Sequence, residues 1–346
     1  MSSAQAASLV YVGNAESNDV SVLRLDRRSG ALTAVETIAV PGVTQPGPTS
    51  PMAVSPDKSR LFVGIRSVPY VAASFAIDAA SGKLSHLGNG PLADAMAYIV
   101  TDRSGRYLLS ASYGGNKIAV NPIGRDGVVG PVQQVVSTAP NAHCILPDAT
   151  NRFVLATSLG GDLVNQLRFD AASGELTPNT PASVKVKDKA GPRHLAFHPT
   201  GSFAYVIGEL DGAIYAFDYD AAQGRLSETQ QVSALPPGFA GKPSAADLHV
   251  TPNGRFLYGS ERTSSTLAAF RIDPASGKLS PIGSYETEEQ PRGFRIDPSG
   301  RYLLAVGQLS NRMSCYAIDQ ATGALGKLED YRVGRNPNWI EIIDLP

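Results

Sequence analysis

Short apolar runs recur along this chain, and each is introduced by the same polar phrase. A turn containing Pro, Asp or Gly comes first, then a basic or small residue, then the apolar run. The phrase reads SPDKSRLFVG from Ser55, TDRSGRYLLS from Thr101 and LPDATNRFVL from Leu146. It returns as HPTGSFAYVI from His198, TPNGRFLYGS from Thr251 and DPSGRYLLAV from Asp297. The residue just after the turn serves as a marker: Arg60, Arg106, Arg152, Ser202, Arg255 and Arg301, with Leu9 of LVYVGNAES in the same slot. Successive markers lie 46 to 53 residues apart. That is about the length of one four-stranded propeller blade.

Within each unit a short strand precedes the turn, as in GFRIDPSG, and a second follows it, as in YLLAVG. A third strand alternates aromatic and β-branched residues, as in MSCYAID, and a Gly-containing hairpin leads to a fourth. That hairpin is marked by DAASGKL at Asp78, DAASGEL at Asp170, DYDAAQGRL at Asp218, DPASGKL at Asp273 and DQATGAL at Asp319. Its glycine supplies the positive φ of a tight turn. The chain starts at the second strand of its first unit, and NPNWIEII near the end reads as a first strand with nothing after it. Joined, the two fragments make a whole blade and close the ring. The prediction is an all-β fold, a seven-bladed β-propeller with four antiparallel strands per blade, formed as one domain over residues 1–346. Trp339, the single tryptophan, is expected to pack in the core near the seam between blades.

Composition changes this picture little. A hydrophobic share of 42% with 18% charged residues suits a buried core and argues against disorder. The net charge of −1 and the lack of any Lys/Arg run argue against nucleic-acid binding. No apolar stretch is long enough for a membrane span. Met1–Ser8 has neither a basic start nor an apolar core, so no secretory signal is expected. The two cysteines, Cys144 and Cys315, both lie in strand-like runs, so no disulfide framework is expected and the cytoplasm is the simplest address. A closed ring needs no partner for its stability, so a monomer or weak homodimer is expected.

Candidate chemistry follows from the repeat. In a radial array the loop entering the first strand and the loop leaving the second open on one face. The slot nine residues before the marker holds Pro51, Ala97, His143, Arg193, Ala246 and Arg292. The slot seven residues after it holds Glu16, Ser67, Tyr113, Leu159, Glu209, Arg262 and Gln308. A purely structural repeat would favour one small or apolar residue in each slot. Varied polar residues converging on a concave mouth point to a small-molecule site. His194 follows Arg193, Glu261 precedes Arg262, and Asp247 and His249 share one face of their strand. His143 or Glu209 is placed to move a proton, Arg193 and Arg262 to hold anionic charge, and His194, His249, Arg292, Tyr113, Gln308 and Glu16 to contact substrate. His143 could instead fill polar space, and each arginine could brace an acidic neighbour.

No His-Glu-x-x-His, Cys-x-x-Cys or EF-hand pattern occurs, and neither a Walker A loop, a dinucleotide fingerprint nor a Gly-x-Ser-x-Gly elbow is found. No cofactor and no metal are expected, although histidines and carboxylates from separate blades could still assemble a metal site. A non-catalytic peptide-binding propeller would carry an aromatic, apolar mouth instead.

Several stretches carry a family resemblance: VYVGNAESNDVSVLRLD, GPRHLAFHP, ADLHVTPNGRFLYGSERT, EEQPRGFRIDPSGRYLLAVGQ and NPNWIEI. Over nearly its whole length the chain resembles the cycloisomerase-type 6-phosphogluconolactonases, the seven-bladed propeller lactonases. These are similar in turn to the fungal carboxy-muconate lactonizing enzyme, whose proposed site uses a histidine, two arginines and a glutamate. The matching positions here are His143, Arg193, Arg262 and Glu209. The resemblance implies cofactor-free hydrolysis of 6-phospho-D-glucono-1,5-lactone to 6-phosphogluconate in the oxidative pentose phosphate pathway. For such a substrate, Arg292 with a second arginine is expected to hold the phosphate. Another sugar lactone and a muconate-type cycloisomerisation are the alternatives.

Overall fold

The turn before each marker is fixed by a side chain that accepts backbone N–H groups. Asp102 takes those of Arg106 and Tyr107 at 2.8 and 2.9 Å, and Asp297 takes those of Arg301 and Tyr302 at 2.8 and 2.7 Å. Ser55 and Thr251 do the same with a hydroxyl. The chain is thereby reversed between two strands at each repeat.

The computed structural model describes residues 7–344, and these form seven four-stranded antiparallel sheets. The first strands of blades 2 to 7 are Met52–Val54, Met96–Thr101, Ala142–Pro147, Pro192–Phe197, Ala245–Val250 and Pro291–Ile296. Blade 1 takes its first strand, Pro337–Asp344, from the far end of the chain, where it pairs with Ala7–Asn14. Leu9 faces Ile343 and Tyr11 faces Glu341 in that pairing. Ser8 donates to Asp344 at 2.7 Å, and Arg27 pairs with the same carboxylate. Each first strand contacts the first strands of the blades on either side, so these strands surround the axis.

The core is divided among the blade interfaces. Seven apolar clusters are present, one between each neighbouring pair of blades. The hairpin glycines serve these interfaces as well as their turns. Gly174 has a φ of 77°, and a Cβ there would lie 2.3 Å from the Tyr107 ring of the preceding blade. Gly224 meets Phe153 and Gly277 meets Phe203 in the same way. Tyr205 and Tyr258 then donate across the interface to the carbonyls of Gly277 and Gly323, each at 2.8 Å. No side chain larger than hydrogen fits such an approach.

Candidate active site

Six of the seven first strands depart from regular pairing, and the departures fall at the residues of interest. Register shifts lie between Met96 and Tyr98, Ala142 and Ile145, Pro192 and Leu195, Ala245 and Leu248, and Pro291 and Gly293. The sixth lies opposite Asn14 in the closing blade. A bulge re-aims side chains that strict alternation would send to opposite faces. Second-strand hydroxyls accept the backbone groups the bulges release: Thr157 takes the N–H of Cys144 at 3.0 Å, and Ser260 takes that of Asp247 at 3.1 Å. Adjacent residues Arg193 and His194 therefore line one axial pocket, with Thr49, Tyr98, His143, Asp247, His249, Arg292, Asn338 and Trp339.

Glu209 and Arg262 enter from the loops after the second strands of blades 5 and 6. One carboxylate oxygen, Glu209 Oε2, lies 2.8 Å from Arg193 Nε and 3.0 Å from Arg262 NH2. The Arg193 N–H does not point along its contact, so this is charge pairing rather than an aligned hydrogen bond. Burial works to raise the Glu209 carboxyl, but Arg193, Arg262 and Arg292 outweigh it and leave the pKa below the ordinary value. Arg193 is only 1% exposed and also donates to the Ala246 carbonyl. Burial, aided by Arg262, brings its pKa down to about 10, so it stays charged at neutral pH. Arg262 Nε donates to the Ser244 carbonyl at 2.9 Å.

His143 is buried, with its ring 5.2 Å from that of His194 and 5.9 Å from that of Tyr113. Burial, then Arg193, His194, Arg292 and Arg66, hold its pKa well below the usual value, so the ring is neutral. His194 and His249 both reach Asp247, at 2.8 and 3.1 Å. Burial and Arg193 lower His194 to about 4, against the opposing pull of Asp247. Arg292 projects into the same pocket; burial first, then Arg193, Arg262 and Arg66, push its pKa well down.

The other sequence candidates lie further out. Tyr113 stands at the rim, 37% exposed. Gln308 turns to Asn336, to which it donates at 2.7 Å. Glu16 is exposed and pairs with Arg335 at 3.4 Å. Trp339 packs against the apolar cluster between blades 1 and 2 but is only partly buried. It stands in the pocket wall in edge contact with Tyr98 and His194, and donates to Glu341 at 3.0 Å.

Arg66 belongs to the site although its slot was assigned to Ser67. It donates to Thr49 at 2.7 Å, and its charge acts on both His143 and Arg292. Tyr98 and Asn338 were also absent from the sequence candidates. Arg66 follows the short second strand Arg60–Gly64 and stands one position before the slot residue Ser67. Among the described residues, no group of three or more His, Cys, Asp or Glu is disposed to hold a metal ion. Asp247 is engaged by two histidine N–H groups instead.

Fold and site together define a seven-bladed propeller with an axial pocket lined by arginines and histidines from several blades. A family model described as "Lactonase, 7-bladed beta-propeller" matches residues 9–342, and the chain belongs to that family. It is 43% identical to a 6-phosphogluconolactonase of Serratia proteamaculans over 97% of this chain and 98% of the relative. It is 41% identical to a 6-phosphogluconolactonase of Pectobacterium carotovorum over 97% of this chain and 99% of the relative. Among solved structures it is similar to the periplasmic gluconolactonase of Pseudomonas aeruginosa. The TM-score is 0.90 at 29% identity, covering 98% of this chain and all of that one.

Proposed function

We infer that this protein hydrolyses 6-phospho-D-glucono-1,5-lactone to 6-phosphogluconate. The names of relatives above 40% identity support the reading. The observation that carries it is an imbalance of charge. Five arginines act on the pocket, and among the described residues only Glu209, which Arg193 and Arg262 share, and Glu341, which takes Arg295, pair with any of them. Arg193 and Arg262 share Glu209, whereas Arg66 and Arg292 make no ion pair with a described carboxylate. Buried, unpaired guanidinium groups are costly until an anion arrives. A phosphomonoester dianion can satisfy two such groups, with bidentate contacts.

The two arginine pairs take different work. Arg66 and Arg292 hold the phosphate. Arg193 and Arg262 face the lactone carbonyl and stabilise negative charge as it develops on the oxygen. Glu209 keeps those two guanidinium groups fixed, and its depressed pKa makes it a weak base. Proton transfer then falls to the neutral imidazoles, with His143 in contact with the substrate. A peptide-binding mouth would be apolar, and the relatives' names favour the phosphorylated lactone over a muconate, whose carboxylates could use the same arginines. A phosphorylated substrate and two buried, free thiols suit a cytoplasmic monomer, which fractionation and gel filtration test.

The decisive assay follows acid release with a pH indicator, using freshly made 6-phosphogluconolactone and unphosphorylated gluconolactone. Rapid turnover of the phosphorylated lactone is expected. Arg66→Gln and Arg292→Gln should raise KM for it and leave the unphosphorylated lactone unaffected. No turnover above the spontaneous rate would sink the activity, and equal effects on both lactones would sink the phosphate assignment.

A further inference from the structure

The three pocket histidines differ in what holds them. His194 Nδ1 lies 2.8 Å from Asp247 Oδ1, and His249 Nε2 lies 3.1 Å from Asp247 Oδ2. Asp247 is buried, and burial alone would raise its pKa; His249 and His194 hold it well below the ordinary value instead. The backbone N–H groups of Leu248 and Phe294 also donate to it, at 2.9 and 3.3 Å. An ionised carboxylate only accepts, so both histidine nitrogens facing it carry protons. The tautomer of His194 is thereby fixed: Nδ1 carries the hydrogen and Nε2 carries the lone pair.

That Nε2 is buried and has no hydrogen-bond partner among the described residues. The same is true of His143 Nδ1, on the neighbouring ring in the same pocket. His143 has no carboxylate behind it to fix its tautomer or strengthen it as a base. Glu209 is engaged by two guanidinium groups. His194 combines a fixed tautomer, a carboxylate on the opposite nitrogen and a buried, unpartnered acceptor, and it is less exposed than His249, which Asp247 holds by Nε2.

We propose that Asp247 positions His194 so that His194 Nε2 takes the proton from the water that attacks the lactone. The proposal rests on the lactonase reading. His143 Nδ1 accepts the second hydrogen of that water, which leaves the oxygen lone pairs free for the carbonyl carbon. The water oxygen forms a bond to C1 as its proton passes to His194, and the carbonyl π electrons move to the oxygen facing Arg193 and Arg262. When the tetrahedral centre collapses, the bond from C1 to the ring oxygen breaks. The ring oxygen leaves with the proton held on His194 Nε2 and becomes a hydroxyl. The product acid then loses its own proton to solvent. Asp247 is a positioning residue in this scheme, and His194 is the catalytic base and then the acid.

The test is the pH dependence of kcat/KM for 6-phosphogluconolactone in the wild type, His194→Gln, His194→Ala and Asp247→Asn. Asp247, Arg193, Arg292, His143, Tyr98 and Trp339 surround His194, and of these Asp247 favours its charged form. His194→Gln should lower kcat by ~10²–10⁴-fold with KM little changed. Asp247→Asn should lower kcat and move the acid limb of the profile to lower pH, because the carboxylate no longer supports the imidazolium. A purely structural role would leave that limb in place. Added imidazole should restore part of the activity of His194→Ala. His194→Gln at wild-type kcat, or an unmoved acid limb in folded Asp247→Asn, overturns the proposal. If wild-type protein does not turn the lactone over, the function reading fails and this proposal falls with it. Wild-type turnover with an unimpaired His194→Gln overturns the proposal alone.

Discussion

The backbone N–H of Ser244 donates to Glu261 Oε1 at 2.6 Å, which ties the loop before the first strand of blade 6 to the residue preceding Arg262. Glu261 is fully buried, and its other oxygen takes both the N–H and the hydroxyl of Ser264. It thereby braces the turn from which Arg262 reaches Glu209. Glu261→Ala should leave two partly buried backbone donors without their partner, at up to about 1–3 kcal/mol for each. Urea denaturation should show that loss, and kcat should fall with it because Arg262 is released. Full stability in the variant would show that the brace is unimportant.

The neutral histidines make the fold sensitive to acid. His194 titrates at about 4 in the folded chain, against about 6.5 unfolded, and His143 is lowered in the same direction. Stability is therefore complete above about pH 6.5 and declines as the pH falls towards 4, because the unfolded chain binds these protons first. Depressed carboxyls such as Glu209 and Asp247 extend the loss to lower pH. Denaturant titrations across this window should show a shallower slope for His194→Gln than for the wild type. Identical slopes would mean that His194 does not contribute.

The unpaired arginines should make the protein more stable when an anion binds. A ligand at a hundred times its Kd stabilises a fold by about 2.7 kcal/mol. 6-Phosphogluconate should raise the melting temperature of the wild type and raise it less for Arg66→Gln and Arg292→Gln. Gluconate should have a weaker effect that these substitutions do not change. Equal shifts for all three proteins would remove Arg66 and Arg292 from the phosphate subsite.

The seam between the last blade and the first is tight at Gly293. A Cβ there would lie 2.6 Å from the Asn338 carbonyl oxygen, a backbone atom that cannot move aside alone. Gly293→Ala should cost ~1–3 kcal/mol of overpacking and displace the adjacent Arg292. Gly326→Ala, with nothing within 4 Å, is the control that should stay neutral. Thermal melts of the two variants separate these outcomes.

The ring itself was legible because one phrase, from SPDKSRLFVG to DPSGRYLLAV, repeats with its turn acceptors in place. The closing strand was legible because the two ends each hold part of one unit. Slot arithmetic also found His143, Arg193, Glu209, Arg262 and Arg292. It could not see the bulges, because an extra residue in a strand leaves no mark in an apolar pattern. Hence Arg193 and His194 share a pocket that alternation would deny them. Arg66 was passed over because it stands one position before the slot, which Ser67 fills. Glu16 occupies the same slot as Glu209, yet it is exposed and pairs with Arg335, since slot position fixes the loop and not the side chain's partner.

Blade 1 is complete only when Pro337–Asp344 has joined Ala7–Asn14. That strand also carries Asn338 and Trp339 into the pocket wall. On the ribosome, the first blade must therefore wait, unfinished, for almost the entire chain to be synthesised. A prematurely terminated product would lack both the closure and part of the pocket, so turnover becomes a report on full-length synthesis.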